Sequence, residues 1–329
     1  MIKKMFTVAV CFFSVLGFSS CSMIKRDLVE TSYNLEAPPH MMFLGDSIAA
    51  GYGLDGYTLD DNYSCPDSYA NILKKRYETE LSEISGHKMQ NFAVSGDTSS
   101  DLLKLLNSEK LDSALNETDA VVVSIGGNDL LGIFFDLIKS LGVTIENGSI
   151  DLSGIDIFKA ASAFVAMEDE IDNALANFET NLKEISSLLN SKTNGVIYIQ
   201  TLYNPLETFT DFSVVVEFSN EKINRFNEII KTNASDRYTV IDIASDFNGK
   251  CAELTRISNF DIHPNEKGHK VIAESVDKAF AQTGFTYTKQ EYDEPHLTLT
   301  AIMLIIVGLC SMLVVVLFII PKLFKKYEE

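Results

Sequence analysis

Basic residues are scarce in this chain: 27 Lys+Arg stand against 46 Asp+Glu, a formal net charge of -19 over 329 residues. Between Cys21 and His296 the imbalance sharpens to 22 basic against 44 acidic residues, or -22. A surface of that sign repels phosphate backbones and carries no basic stripe, which argues against nucleic acid as a partner. Cysteine is sparse too. Of five, Cys11 and Cys310 lie in apolar runs near the two ends and Cys21 borders the first run, so only Cys65 and Cys251 remain for a folded domain. Those two, with His40, His87, His269 and His296 at no zinc-ligand spacing, are poor material for a metal site. A Gly-rich phosphate loop ending in Lys-Ser/Thr is also missing, as are internal repeats and low-complexity tracts. No cofactor is expected. What the chain does have is 46% hydrophobic and 22% charged residues, enough to build a core and incompatible with a disordered chain.

The two ends carry targeting information. Lys3-Lys4 precedes an apolar stretch over residues 5–18 that is too short to span a bilayer comfortably, so residues 1–21 read as an export signal. Within it, Leu16-Gly17-Phe18-Ser19-Ser20-Cys21 resembles a bacterial lipoprotein cleavage box, with Phe18 where an aliphatic residue is usual. Acylation of Cys21 and ordinary cleavage after Ser20 or Ser22 both remain open. At the other end, residues 297–320 give 24 uncharged positions, enough to cross about 30 Å of hydrocarbon. Asp293 and Glu294 precede this run and Lys322, Lys325 and Lys326 follow it, so the positive-inside rule puts the C-terminus in the cytoplasm and the bulk of the chain outside. The expected organisation is a signal over 1–21, a polar tether over 22–39 ending in Pro38-Pro39, a folded domain over 40–281, a polar stalk over 282–296, a transmembrane helix over 297–320 and a cytoplasmic tail over 321–329. In an oxidising compartment Cys65 and Cys251 can be paired or free.

Inside the folded part, short apolar runs at 41–44, 89–94, 120–125, 196–202 and 238–243 have the length and composition of buried parallel strands. Helical patterns separate most of them. Ile171, Leu175, Phe178, Leu182, Ile185 and Leu189 recur at steps of four and three, an apolar stripe on one helix face. Alternation of this kind predicts a three-layer α/β domain around a five-stranded parallel sheet. The segment 130–154 breaks the rhythm with Leu131, Ile133, Phe134, Phe135, Leu137 and Ile138, which fits either an extra buried helix or the rim of a pocket.

In open α/β sheets functional residues gather beyond the C-terminal ends of the strands. After the first run comes Gly45-Asp46-Ser47, a tight turn presenting a serine of nucleophile type. Past the second, Ser95-Gly96-Asp97 puts a glycine N–H where it can approach a ligand closely. The third is followed by Gly126-Gly127-Asn128-Asp129, in which Asn128 offers an amide donor. After the last comes Asp261-Ile262-His263-Pro264-Asn265, a carboxylate two residues before a histidine, with Pro264 suited to the first position of a helix. A carboxylate so placed can fix the imidazole tautomer. Asp246 and Asn259 are the other upstream candidates for that partner. The clusters Asp60-Asp61 and Glu168-Asp169-Glu170 read as solvated faces, not as a glycosidase pair.

These four blocks, in this order, resemble the SGNH/GDSL hydrolases, with Ser47, Gly96, Asn128 and His263 in the four named places. The resemblance runs from about His40 to Ala281. It departs from the family in the last block, where the acid usually stands three residues before the histidine, not two. It implies a flavodoxin-like three-layer α/β/α fold with strand order 2-1-3-4-5 and an esterase that needs no metal. Ser47 would be the nucleophile, His263 the base, Asp261 the acid, and the N–H groups of Ser47 and Gly96 with the amide of Asn128 the oxyanion donors. Expected substrates are lipid, lysophospholipid or other acyl esters, or O-acetyl groups on surface carbohydrate. A non-catalytic binding protein on the same scaffold is the reading of another class.

Overall fold

Alternating side chains along the apolar runs dictate two buried faces, and a computed structural model shows what covers each. It describes residues 23–325 apart from 85, 141–143, 147–148, 152–156, 212 and 260. Five parallel strands, β1 (His40–Gly45), β2 (Lys88–Asn91), β3 (Ala120–Ser124), β4 (Val196–Gln200) and β5 (Thr239–Ile241), lie in the order β2-β1-β3-β4-β5. This is the predicted sheet. Successive residues point to opposite faces. Met41, Phe43, Ala120, Val122 and Tyr198 face one way and pack with Tyr69, Leu73, Ile272, Val276 and Phe280. Met42, Leu44, Val121, Val123, Ile197 and Ile199 face the other way, onto Leu102, Ile171, Phe178, Leu182 and Phe226. Each large apolar side chain so buried contributes about 1.5–3 kcal/mol, which makes both faces obligatory.

The covering helices follow the strands in turn: α1 (Ser47–Ala50), α2 (Tyr69–Tyr77), α3 (Ser99–Asn107), α4 (Gly127–Ser140), α5 (Ile157–Lys192), α6 (Ser213–Ala234) and α7 (Glu266–Thr283). The stripe from Ile171 to Leu189 is the core-facing side of α5. Segment 130–154 begins as α4, whose Leu130 and Ile133 pack on the core, and ends in a small antiparallel pair, Thr144–Glu146 with Ser149–Asp151. The side chains of Phe134 and Phe135 lie outside the described residues. One expectation is corrected. Pro264 does not start a helix: it ends the strand Asp261–Pro264, and Asn265 caps α7 by accepting from the N–H groups of Lys267 and Gly268.

Residues Asn34–Tyr287 form one compact unit. The second unit holds the residues on either side of it. The segments Leu28–Leu35 and Phe285–Tyr292, within the stretches read as tether and stalk, are extended and pair as a two-stranded sheet. Period-two placement of Val29, Thr31 and Tyr33 suits that pairing, and Tyr33 donates to Glu291 Oε1 at 2.6 Å. The helix Leu299–Lys322 has 24 residues and a mean hydropathy of 3.2, long and apolar enough to cross a membrane. The export signal, Cys21 and residues 326–329 of the tail lie outside the described residues. Cys65 and Cys251 are both buried and both free.

Candidate active site

The turn after β1 is built around Gly45. Its φ is +131°, and a Cβ there would stand 1.8 Å from the Ser124 carbonyl oxygen on β3, so only glycine fits. Asp46 then caps α1, its Oδ1 accepting from the Ile48 N–H at 3.0 Å, and Ser47 takes the first helical position. An N–H at that position has no acceptor within its own helix and is free for a ligand. Ser47 is only 7% exposed, so its hydroxyl sits at the floor of the site. Burial pushes the Asp46 carboxyl up to about 7.

His263 reaches Ser47 from the far end of the domain. In the ladder between Thr255–Arg256 and Asp261–Pro264, Thr255 pairs with Pro264 but Arg256 pairs with Asp261, a bulge that leaves Ile262 and His263 as extra residues. Bulges of this kind re-aim side chains. His263 Nε2 lies 2.9 Å from Ser47 Oγ, and its Nδ1 lies 2.5 Å from Asp261 Oδ1. The same oxygen accepts the His263 backbone N–H at 3.1 Å, a tight turn that explains how an acid two residues upstream meets its own histidine. Burial raises the Asp261 carboxyl, but the side-chain and backbone hydrogen bonds from His263 outweigh it, and the group is held below the ordinary carboxylate range. An ionised Asp261 accepts from Nδ1–H, which leaves the Nε2 lone pair facing the serine hydroxyl. Asp246 is engaged elsewhere, accepting from Ser275 Oγ at 2.6 Å.

Three contacts fix this loop, none of them legible in the motif. Tyr203 donates to the Ile262 carbonyl at 2.7 Å, Asn265 Nδ2 donates to the Glu253 carbonyl at 2.7 Å, and the Tyr52 ring lies 4.6 Å from the imidazole, centroid to centroid. Tyr52 follows directly on Gly51, which ends α1. An aromatic immediately after the turn that presents the serine is the signal that marks it.

The glycine and asparagine blocks meet each other. Backbone bonds from Phe92 to Phe43 and from Val94 to Gly45, both 2.9 Å, carry the end of β2 along β1, and Gly96 follows in a turn with φ +95°. Asn128, in the first turn of α4, donates from Nδ2 to the Asp97 carbonyl at 2.8 Å. Asp129 accepts from the Ser99 N–H at 2.9 Å and from Ser99 Oγ at 2.5 Å. Successive residues thereby tie the two loops together, and the second amide hydrogen of Asn128 stays available. Ser47 and Asn128 thus open helices and Gly96 sits in a turn just past the C-terminal ends of their strands, while Asp261 and His263 come from the bulged strand Asp261–Pro264.

Next to them opens a pocket of about 810 Å³, counting its mouth, with Ile48, Leu130, Leu131, Leu202, Phe218 and Ile262 in its wall. Ile48 follows Ser47 and Ile262 precedes His263, so the apolar wall adjoins both. Lys222, also in that wall, is matched by Glu221, Glu168 and Asp172 at 3.2, 3.3 and 3.6 Å. Among the described residues one group could ligate a cation, Asp27, Asp293 and His296, outside the unit that holds the site. Its carboxylates already engage Lys25, the Asp27 N–H and the His296 ring.

A model of the GDSL-like lipase/acylhydrolase family matches residues 43–271. An uncharacterised Bacillus subtilis protein, YpmR, is 30% identical over 276 residues, covering 82% of this chain and 94% of that protein. The spore germination lipase LipC of Bacillus licheniformis is 21% identical over 238 residues, 72% of this chain and 93% of that one. Among solved structures, an extracellular lipase from Streptomyces rimosus matches with a TM-score of 0.52 at 18% identity, over 73% of this chain and 99% of that one, a likeness of fold.

Proposed function

The chain belongs to the GDSL-like lipase/acylhydrolase family and is an ester hydrolase, and from this premise we propose that it is a serine esterase for acyl esters working through Ser47, His263 and Asp261. The observation that carries the proposal is the single imidazole lying between the serine hydroxyl, at 2.9 Å, and the carboxylate, at 2.5 Å. Ser47 Oγ attacks the ester carbonyl while His263 Nε2 takes its proton, and the imidazolium is stabilised by Asp261. The proton then passes to the leaving alcohol, and water repeats the sequence on the acyl-enzyme. The oxyanion is met by the N–H of Ser47, the N–H of Gly96 and the amide of Asn128, each donor typically worth about 2.7–4 kcal/mol at the transition state.

Supporting an acyl substrate is the apolar pocket, whose wall begins one residue from Ser47 and one from His263. Lipid or lysophospholipid esters fit it better than small acetyl groups, which have no use for it. In our reading the hydrolase domain spans 40–281, and the helix Leu299–Lys322 anchors it to a membrane. The charges at its ends, Asp293 and Glu294 before the helix and Lys322 at its last position, favour a cytoplasmic C-terminus with the hydrolase on the other side.

The test is kcat/KM of the full chain in detergent on p-nitrophenyl esters from acetate to long acyl chains, with Ser47→Ala as blank. A Ser47-dependent rate that rises with chain length is expected. A Ser47-dependent preference for acetate would replace the lipid reading with O-acetyl hydrolysis, and a rate that survives Ser47→Ala would overturn the assignment of the nucleophile.

A further inference from the structure

Arg256 stands opposite Asp261 in the bulged ladder. A Cβ built on Gly53 would lie 2.4 Å from Arg256 Nη1 and 3.5 Å from Asp261 Oδ2, so guanidinium and carboxylate converge on the one position that carries no side chain. Oδ1 is already taken by His263, through both its backbone N–H and its ring. Arg256 is mostly buried, at 22% side-chain exposure, and Glu266 meets its outer side at 3.6 Å. Gly53 itself has φ +82°, a conformation that already favours glycine, and Arg256 makes no salt bridge to Asp261. We infer that Arg256 is a positioning residue that acts on Asp261 as a nearby charge, through the space beside Gly53.

This inference rests on the proposed roles of Asp261 and His263. The charged and titratable groups around the pair are few: Arg256 with Glu266, the hydroxyls of Tyr52 and Tyr203, Asp46 beneath Ser47, and His269. Burial holds His269 neutral well below its ordinary range, so Arg256 is the permanent cation of this set. Its charge also helps to hold the Asp261 carboxyl low. A cation there makes a second positive charge, on the imidazole, less favourable by plain Coulomb repulsion. Losing it eases protonation, and the acid limb of kcat/KM moves to higher pH. A unit charge a few ångströms away across a partly exposed site corresponds to about 0.5 to 1 pH unit.

The experiment is the pH profile of kcat/KM on a short p-nitrophenyl ester, using the full chain in detergent. Arg256→Gln is expected to move the acid limb up by that amount with KM little changed, and Arg256→Lys to keep the wild-type limb. Gly53→Ala puts a methyl against the guanidinium at a φ of +82°, so it is expected to reproduce the shift together with a lower melting temperature from the strained backbone. In the double variant the shift should not exceed that of Arg256→Gln alone. A limb that stays in place in Arg256→Gln while kcat falls equally at every pH would reduce Arg256 to a structural residue and overturn the inference. Should the wild-type rate survive Ser47→Ala, the reading of the site has failed instead.

Discussion

Asp261 holds His263 through one oxygen, its Oδ1 accepting both the backbone N–H at 3.1 Å and ring Nδ1 at 2.5 Å. The geometry depends on an acceptor that cannot itself donate to the ring. In Asp261→Asn the amide can turn its NH2 to Nδ1, which moves the ring proton to Nε2 and sets it against the Ser47 hydroxyl. We expect kcat to fall by about 10³- to 10⁴-fold with the melting temperature nearly unchanged. Asp246→Asn is the control, since Asp246 bonds Ser275 and stands apart from the imidazole. Less than a tenfold loss in Asp261→Asn, or an equal loss in both variants, would remove Asp261 from the mechanism.

Asn128 makes one visible bond, to the Asp97 carbonyl at 2.8 Å, and that bond fixes the plane of its amide. On the proposed mechanism the remaining N–H meets charge only when the ester carbonyl becomes an oxyanion. Asn128→Ala should therefore lower kcat by about 10²- to 10³-fold and leave KM within a few-fold. Steady-state kinetics on a single ester decide it. A rise in KM with kcat intact would mean that Asn128 binds substrate and does not stabilise the transition state.

Much of this was legible because each clue was local. Five apolar runs of strand length and the stripe from Ile171 to Leu189 announced the three layers, and Gly45-Asp46-Ser47 and Gly127-Asn128 each sit within one turn of a strand end. What escaped depends on residues far apart in sequence. The bulge that aims His263 exists only once Arg256 pairs with Asp261, and Tyr203 supports it from 59 residues upstream. Pro264 misled because Asn265 is the better cap: its side chain accepts two N–H groups of α7, whereas Pro264 completes the ladder. The pairing of Leu28–Leu35 with Phe285–Tyr292 likewise joins segments whose polar composition alone suggests spacers.

The pocket makes a prediction separate from the chemistry. Leu131 stands in its wall on α4, three residues past Asn128. Leu131→Gln replaces apolar contact with an amide that a hydrocarbon chain cannot satisfy. At about 0.8 kcal/mol per buried methylene, loss of contact with one or two methylenes should raise KM for long-chain esters by about four- to fifteenfold. Acetate esters should be unaffected. The comparison is of KM across chain length in one variant, and equal increases for acetate and long chains would place the acyl group elsewhere.

Two buried groups near the site pull stability in opposite directions with pH. Burial raises Asp46 from 3.8 to about 7, so its contribution is full below about pH 4 and is lost as pH rises through 7. Burial lowers His269 from 6.5 to about 3, so its contribution is full above pH 6.5 and is lost as pH falls toward 3. Over the shared window, about pH 4 to 6.5, one group releases a proton on unfolding and the other takes one up, and their slopes cancel. Asp46→Asn keeps the helix cap, because asparagine caps as well as aspartate, but removes the first slope. His269→Gln keeps an acceptor for the Tyr69 N–H, which His269 Nδ1 receives at 3.2 Å, and removes the second. Relative to wild type, stability of Asp46→Asn should climb with pH across this window by up to about 1.4 kcal/mol per unit, and that of His269→Gln should fall at a comparable rate. Urea midpoints at pH 4.5 and 6.5 for the three proteins measure it. Parallel lines for all three would show that neither group changes its proton affinity on folding.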